Sequence, residues 1–204
     1  MNQKRKEEII MATLKLASEK GLAGVSMSMI AESVGIKKPS LYNHFSSKEQ
    51  LIEEMYEYLR NSALNDTNTQ INDYEKFVCS LNSAYDVLST TANNYIKLTS
   101  TPAMQMFYKV VYSERAINPI SAKIMAEETT KMINATKELF SILQSHEMLK
   151  FSSIDSSAVS FALTIHGLMD YYSDLHLSGT TPPTNCDLID THIKSFCREH
   201  IFKE

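Results

Sequence analysis

The sequence predicts an all-α protein. It contains only 5 Gly and 5 Pro among 204 residues, and no segment shows the alternation of apolar and polar residues typical of a half-buried strand. Several segments instead carry apolar stripes at helical spacing. We expect helices from a cap at Ser46 or Ser47 to about Leu64, at about 73–92, 93–100 and 102–114, and from Asn118-Pro119 to about Ser145. With 43% hydrophobic residues, the chain is long enough to bury a substantial core. We therefore expect a three-helix N-terminal domain over residues 4–64 and a larger helical domain over 65–204.

Residues 26–45 predict two short helices joined by a tight turn. Ser26 can cap a helix that begins at Met27, and Gly35 follows where a left-handed backbone is needed to end that helix. Pro39 favours the first turn of the next helix, because the amide hydrogen that proline lacks would have no partner there. A helix pair of this kind, held at a fixed angle, is how small domains read the major groove of DNA.

The second of these helices has an apolar edge and a polar edge. At about 100° per residue, Leu41 and Phe45 face the core, while Ser40 and Asn43 point away from it. Asn43 is the best candidate for a base contact, since a side-chain amide can bond adenine at two points, which is worth about 1–3 kcal/mol of discrimination. The alternative is an ordinary helical hairpin whose polar side is merely solvated.

The distribution of charge favours the DNA-binding interpretation. Residues 1–48 hold eight Lys and Arg against four Glu and no Asp, a net charge of +4, whereas the whole chain carries −4. The remaining residues, 49–204, therefore carry −8. A basic N-terminal quarter on an acidic protein indicates a module that faces a polyanion.

The segment IAESVGIKKPSLYNHFSSKEQL, residues 30–51, resembles the helix-turn-helix signature of the TetR family, and the match extends back through a first helix at 9–21. Relatives often carry Arg at position 28, where this chain has Ser, which weakens one expected phosphate contact. In this family the helix after the turn is the recognition helix. The residues expected to contact DNA are Lys4, Arg5, Ser26, Ser28, Lys37, Lys38, Pro39, Ser40, Tyr42, Asn43, His44 and Lys48.

Two helices are expected near the end of the chain, at about 156–177 and 186–202. The first is apolar on most of its surface and must be covered on more than one side. A second copy would provide that cover in an isologous four-helix interface, and packing inside one monomer is the alternative. The resemblance favours the homodimer, because TetR-like proteins dimerise through their final two long helices. The expected interface residues are Leu168, Tyr172, Leu175, Leu188, Ile189, Ile193 and Phe196.

The larger domain is expected to hold a cavity for an effector, because it is rich in large, adaptable side chains. An ordinary core is the alternative for most of them. The candidate pocket residues are Met104, Phe107, Tyr108, Met125, Met132, Phe140, Phe161, His166, Met169 and Asp170. His166 and Asp170, four residues apart, could form a helix-stabilising hydrogen bond, a polar anchor for a ligand, or a metal pair. Gly167 between them lowers helix propensity, so we expect something to need the space beside it.

Other functional classes find little support. Cys79, Cys186 and Cys197 are scattered without metal-binding spacing, which predicts buried thiols in a reducing cytosol and no metal site. The segment MNQKRKEEII lacks the apolar core of a signal peptide, and no apolar run is long enough for a membrane span. No catalytic motif is found, so we expect no enzymatic activity and no cofactor.

The hypothesis from the sequence is a cytoplasmic, homodimeric repressor that binds a palindromic operator in double-stranded DNA and is released by a small apolar or amphipathic effector. Two alternatives remain. One is the same DNA-binding fold without an effector, as an activator or an architectural DNA binder. The other is a helical enzyme or small-molecule-binding protein that retains a vestigial DNA-binding module.

Overall fold

The computed structural model describes residues 3–180 and 187–201, and this part of the chain consists of helices and their connections. The all-α prediction is confirmed. None of the helices in the described ranges is long and apolar enough to span a bilayer. The helices are α1 (Gln3–Lys20), α2 (Met27–Ser33), α3 (Lys38–Tyr42), α4 (Lys48–Thr67), α5 (Tyr74–Cys79), α6 (Ala84–Thr99), α7 (Pro102–Glu114), α8 (Pro119–Ser145), α9 (Ile154–Leu177) and α10 (Leu188–Glu199).

The helices pack into two compact units. The first unit contains residues up to 69 together with 97–127, and the second contains 70–96 together with the chain from 128 onward. The first unit is larger than the predicted domain over 4–64, because α7 packs against both α1 and α4. The chain therefore passes from the first unit to the second and back before α8 returns it to the second.

The first unit is built around α1, which contacts α2, α4 and α7. Its interior is made of apolar side chains from all of these helices, and Tyr56 of α4 stacks on Phe107 of α7 with ring centroids 5.6 Å apart. Both rings are at most 1% exposed. The stacked pair anchors α4, the helix that follows the helix-turn-helix segment.

Helix starts agree with the capping residues that the sequence offers. Ser47 accepts a hydrogen bond from the Gln50 amide at 3.1 Å, and Asn118 accepts one from the Ile120 amide at 3.0 Å. The expected end of α4 at Leu64 was three residues too early, because Asn68 takes the left-handed conformation that ends the helix (φ 49°).

The segment between α4 and α7 differs from the prediction. Helices were expected at about 73–92 and 93–100, but α5 ends at Cys79 and α6 runs without interruption from Ala84 to Thr99. The break comes earlier because the Ser83 side chain accepts a hydrogen bond from the Asp86 amide at 3.1 Å and caps α6. The expected helices at 102–114 and from Pro119 to Ser145 are confirmed.

The second unit has an aromatic core. Phe140 of α8 stacks on Phe151 at 4.6 Å and lies 5.4 Å from Phe196 of α10. Phe161 of α9 lies 4.8 Å from Phe196. These contacts join the last two helices to α8 within a single copy of the chain.

Three residues of the predicted dimer interface pack within the single chain. Ile189, Ile193 and Phe196 were assigned to the contact with a second copy, but they are 8%, 1% and 7% exposed in the single chain. The apolar stripe of α10 packs against the core of its own unit and is buried there. Leu168 and Tyr172 also pack against that core from α9. Position 186 and residues 202–204, at the ends of the predicted last helix, lie outside the described residues.

A different stripe of α9 stays open. Val159, Leu163 and Tyr171 recur at spacings of four and eight residues and are 37%, 45% and 43% exposed. Gly167 completes the same stripe, and a Cβ atom built on it would meet nothing within 4 Å. The expectation that something needs the space beside Gly167 is not met within the single chain, where that side of the helix is open.

Candidate nucleic-acid interface

Two hydrogen bonds and one glycine conformation set the turn between α2 and α3. The Ser26 side chain accepts a hydrogen bond from the Met29 amide at 3.3 Å and starts α2. Gly35 has a φ of 68°, which L-residues other than glycine adopt with strain. The Ile36 amide then donates to the Ala31 carbonyl at 2.9 Å and closes the turn. The predicted helix-turn-helix is thus formed by the residues expected to form it.

The helix after the turn is anchored by its apolar edge. Leu41 and Phe45 are both 0% exposed, while Ser40, Tyr42 and Asn43 are exposed. Regular α-helix ends at Tyr42, earlier than the expected end near Phe45, and Asn43 forms its C-terminal cap. The chain still follows a helical path to Phe45, because the Phe45 amide donates to the Leu41 carbonyl at 3.1 Å. Polar side chains consequently project from a short rod whose opposite edge is fixed in the core.

Most of the predicted DNA-contacting residues lie on the surface. His44 and Arg5 are half-buried, and Arg5 forms an ion pair with Glu8 at 2.7 Å. The exposed members of the set are Lys4, Ser26, Ser28, Lys37, Lys38, Pro39, Ser40, Tyr42 and Asn43. The side chain of Lys38 lies over the ring of Tyr42, with its ammonium nitrogen 6.0 Å from the centroid. An exposed cation and an exposed phenol therefore lie together on the surface of α3.

The helix-turn-helix region matches the model of the family described as bacterial regulatory proteins, tetR family, over residues 9–55. The chain is also 28% identical over 189 residues to the biofilm operon icaADBC HTH-type negative transcriptional regulator IcaR of Staphylococcus aureus, an alignment that covers 82% of this chain and 98% of IcaR.

Residues 9–55 are a helix-turn-helix region of the TetR type.

Solved structures of TetR-type regulators share the fold. A TetR-family transcriptional regulator of Mesorhizobium loti superposes with a TM-score of 0.68 at 17% identity, covering 99% of this chain and all of that one. The flavonoid-responsive regulator FrrA superposes with a TM-score of 0.72 at 20% identity, covering 97% of this chain and 95% of FrrA. Together with the family match and the IcaR alignment, the helix-turn-helix makes this chain a transcriptional regulator.

Lys48 occupies a different place from the other cations of the predicted interface. It is half-buried, and its ammonium group donates a hydrogen bond to the Leu22 carbonyl in the turn between α1 and α2. Lys48 was expected to contact a DNA phosphate. In the structure it ties the start of α4 to that turn, and the ammonium group keeps further N–H donors that could bond a phosphate.

Two charged residues that support the helix-turn-helix were not predicted from the sequence. Lys6 of α1 forms an ion pair with Glu54 at 2.8 Å and lies 5.1 Å from the centroid of the Phe45 ring. Glu114 of α7 accepts hydrogen bonds from the Ala23 amide at 3.2 Å and from Asn118 Nδ2 at 2.9 Å. No local signal marks such residues, because each acts on a part of the chain that is distant in sequence.

The predicted effector residues are divided between the two units. Met104, Phe107, Tyr108 and Met125 belong to the first, and Met132, Phe140, Phe161, His166, Met169 and Asp170 belong to the second. Met104, Phe107 and Phe140 are 0% exposed, and a side chain without accessible surface lines no cavity that admits water. These three are enclosed by close packing in this conformation, and their place in an effector pocket stays a prediction. Phe161 and Met125 are each 7% exposed.

His166 and Asp170 lie one turn apart on α9, as expected, and both are half-buried. Their role stays a prediction. An open groove of about 320 Å³ lies elsewhere, in the first unit between α1 and α4. It shares no residue with the expected pocket and is lined by Gln3, Lys6, Ile10, Glu53, Glu54, Glu57 and Tyr58.

The cysteines also differ from expectation. Cys79 was predicted to be a buried thiol, but it is exposed at the end of α5. Cys197 of α10 is half-buried, and burial raises the pKa of its thiol to about 11. Cys186 lies outside the described residues.

Proposed function

We propose that this TetR-family regulator is a homodimeric repressor that binds a palindromic operator and is released by a small-molecule effector. The observation that carries the DNA-binding part is the anchored reader helix. Leu41 and Phe45 are wholly buried, while Ser40, Tyr42 and Asn43 remain exposed on its other side. In such an arrangement exposed polar side chains meet base edges and phosphates while the core holds their positions.

The sign of regulation is inferred from the relative that aligns over most of its length. IcaR is named as a negative regulator of the icaADBC biofilm operon, and the alignment covers 98% of it. A repressor of this type occupies its operator and blocks transcription. We place the protein in the cytoplasm, where a regulator of this kind meets its DNA.

The dimer is supported by the open stripe of α9. Exposed Val159, Leu163 and Tyr171 form an apolar strip on a helix of the second unit, and Gly167 leaves room within it for an approaching backbone. A two-fold pair of such chains would present two reader helices, and half-sites one helical turn, about 34–36 Å, apart match that symmetry. Of the interface residues expected from the sequence, Leu175 and Leu188 are half-buried and stay part of this proposal.

The effector is proposed to be a small apolar or amphipathic molecule bound by the second unit. FrrA, which shares the fold, is described as flavonoid-responsive. Met132, His166, Met169 and Asp170 are half-buried in the second unit and retain surface that a ligand could cover. Release of DNA requires an effector that prefers the unbound conformation, since equal affinity for both conformations shifts nothing.

A second candidate function is the same DNA-binding fold without an effector. Complete burial of Met104, Phe107 and Phe140 favours it, because close packing leaves no room beside these side chains. In that case the protein would bind DNA constitutively, as an activator or an architectural factor.

The test is protection footprinting of the full chain on the DNA that flanks its own gene, with a shuffled duplex of equal composition as control. We expect a protected, two-fold symmetric sequence and tighter binding than to the shuffled DNA. Binding that is equal on both duplexes at several salt concentrations would remove the regulator proposal. A screen of apolar and amphipathic compounds against the footprint then separates the two candidate functions.

A further inference from the structure

Three different metal-binding side chains meet on the surface of the second unit. Glu75 and Cys79 lie four residues apart on α5, and His146 directly follows the last residue of α8. His146 Nε2 lies 2.5 Å from Glu75 Oε1 and 3.9 Å from Cys79 Sγ. The three ligand atoms all fall within 4.8 Å of one another, and all three residues are exposed. This carboxylate, thiol and imidazole group plays no part in the proposed DNA-binding function.

The backbone brings these side chains together from both sides. Residues four apart on a helix share a face, which aligns Glu75 with Cys79. Val78 of α5 and Leu143 of α8 are buried in the core of the second unit, so both helices are fixed close to the cluster. The chain turns sharply after His146, where Glu147 has a φ of 54° and the Met148 amide donates to the Leu143 carbonyl at 2.9 Å. His146 is therefore held at a defined place above α5.

We propose that Glu75, Cys79 and His146 form a binding site for a divalent transition-metal ion of the zinc class. Thiolate, imidazole and carboxylate are the ligands that Zn²⁺ takes, whereas Ca²⁺ and Mg²⁺ prefer oxygen ligands alone. Three protein ligands leave a fourth position for water or another donor. This inference does not depend on the proposed repressor function.

The distances suit such an ion after a small adjustment. Metal–ligand bonds of about 2.0–2.3 Å in a tetrahedral site place neighbouring donor atoms roughly 3.3–3.8 Å apart. The separation of 3.9 Å between Cys79 Sγ and His146 Nε2 is close to this range. The separation between His146 and Glu75 must widen, and both side chains are exposed, so they can rotate apart without disturbing the core. Exposure also provides a path for the ion to enter.

An ion pair between His146 and Glu75 is the ordinary alternative, and it would exist without any metal. That ion pair does not involve Cys79, the third residue of the cluster. Cys197 offers a contrast within the same unit, because burial keeps its thiol protonated to about pH 11, while Cys79 is open to solvent. Of these two cysteines, Cys79 alone has a histidine and a carboxylate beside it.

The test uses the full chain with any affinity tag removed, reduced, stripped with a chelator and desalted without oxygen. Addition of Co²⁺ should produce sulfur-to-cobalt charge-transfer absorption in the near ultraviolet and strong visible bands typical of a tetrahedral site, saturating at one ion per chain. Zn²⁺ should then abolish these bands by displacing the cobalt. Absence of the charge-transfer band overturns the proposal.

Variants assign the ligands. Cys79→Ser should remove the charge-transfer band, and Glu75→Gln or His146→Gln should weaken Co²⁺ binding by more than the roughly tenfold that loss of an outer-shell partner costs. Cys197→Ser and the exposed histidine variant His176→Gln serve as controls and should leave affinity unchanged. A band that survives Cys79→Ser, or disappears in Cys186→Ser, places the site elsewhere and refutes this assignment. Helical circular dichroism is recorded for each variant. If Cys79→Ser is misfolded, Glu75→Gln and His146→Gln decide the outcome by the same criterion.

Discussion

The Glu114 carboxylate of α7 accepts a hydrogen bond from the backbone amide of Ala23, 91 residues earlier in the chain and 3.2 Å away. Ala23 lies in the turn between α1 and α2, directly before the helix-turn-helix. Gly21 in the same turn comes so close that a Cβ atom on it would lie 2.7 Å from Glu114 Oε1. Glu114 thus fixes the turn that leads into the helix-turn-helix. It does so from α7, a helix outside the predicted N-terminal domain.

Removal of this carboxylate should destabilise the first unit. Glu114 is 8% exposed, and Glu114→Ala leaves the Ala23 amide and the Asn118 side-chain amide without their acceptor. Hydrogen bonds of this kind contribute about 0.5–1.5 kcal/mol each, so loss of both should lower the free energy of unfolding, measured with urea, by about 1–3 kcal/mol. Glu19→Ala, at an exposed position of α1, is the control. Equal stability of the two variants would contradict the role given to Glu114.

Asn43→Ala should relax sequence preference at one base pair of each half-site. Its side chain is exposed at the end of α3, and loss of a two-point contact with adenine costs about 1–3 kcal/mol of discrimination. Binding is measured on the footprinted operator and on duplexes substituted at each position. Asn61→Ala, at an exposed asparagine of α4, should bind every duplex as the natural protein does. A uniform loss on all duplexes would show that Asn43 does not read a base.

Lys38 and Lys48 should behave differently although both belong to the predicted interface. Lys38 is exposed, so Lys38→Ala should weaken binding to all duplexes and lower the slope of log affinity against log salt by about one, with unchanged stability. Lys48 is bonded to the Leu22 carbonyl, so Lys48→Ala should reduce the free energy of unfolding by about 1 kcal/mol. Urea unfolding and salt titrations are run on both. Identical profiles for the two variants would argue against the structural role of Lys48.

Glu128 of α8 should make stability fall as pH rises. Burial raises the pKa of its carboxyl from 4.5 to about 7, and the nearby Lys131 opposes this only partly. Between pH 4.5 and about pH 7 the unfolded chain releases the proton while the folded chain keeps it. The free energy of unfolding therefore falls as pH rises through this range and levels off above it. Glu128→Gln removes the ionisation.

The variant should therefore be more stable than the natural chain at pH 8, by on the order of 2–3 kcal/mol, and similar to it at pH 4. Urea unfolding at pH 4, 6 and 8 measures the difference, and the comparison between variants cancels the titration of other groups. Glu138→Gln, at an exposed position of the same helix, should show no such trend. A pH-independent difference for Glu128→Gln would contradict the raised pKa.

The open stripe of α9 should control assembly. Leu163 is 45% exposed in the single chain, and Leu163→Glu would place a charge in the proposed interface between copies. We expect a monomer by light scattering, with helical content retained. Ile117→Glu changes a more exposed apolar residue, 82%, outside α9 and should leave the natural assembly state unchanged. A dimer that survives Leu163→Glu would remove α9 from the interface.

Features that depend on neighbouring residues were predicted from the sequence alone. The all-α class, the helix starts at Ser26, Ser47 and Asn118, and the turn at Gly35 all follow from interactions within a few residues. The burial of Leu41 and Phe45 also follows, because helical periodicity decides which side chains share a face. These signals were enough to locate the reader helix and its exposed residues.

Features that join distant segments were decided only by the tertiary structure. Three hydrogen-bonded pairs, Lys48–Leu22, Lys6–Glu54 and Glu75–His146, join residues 26, 48 and 71 positions apart. Nothing in the local sequence predicts such pairs. The same holds for Phe196, whose apolar stripe is compatible with either a second copy or its own core. Local periodicity determines which face of a helix is apolar. Only the path of the whole chain determines what that face touches, since each contact requires two distant segments to arrive at the same place.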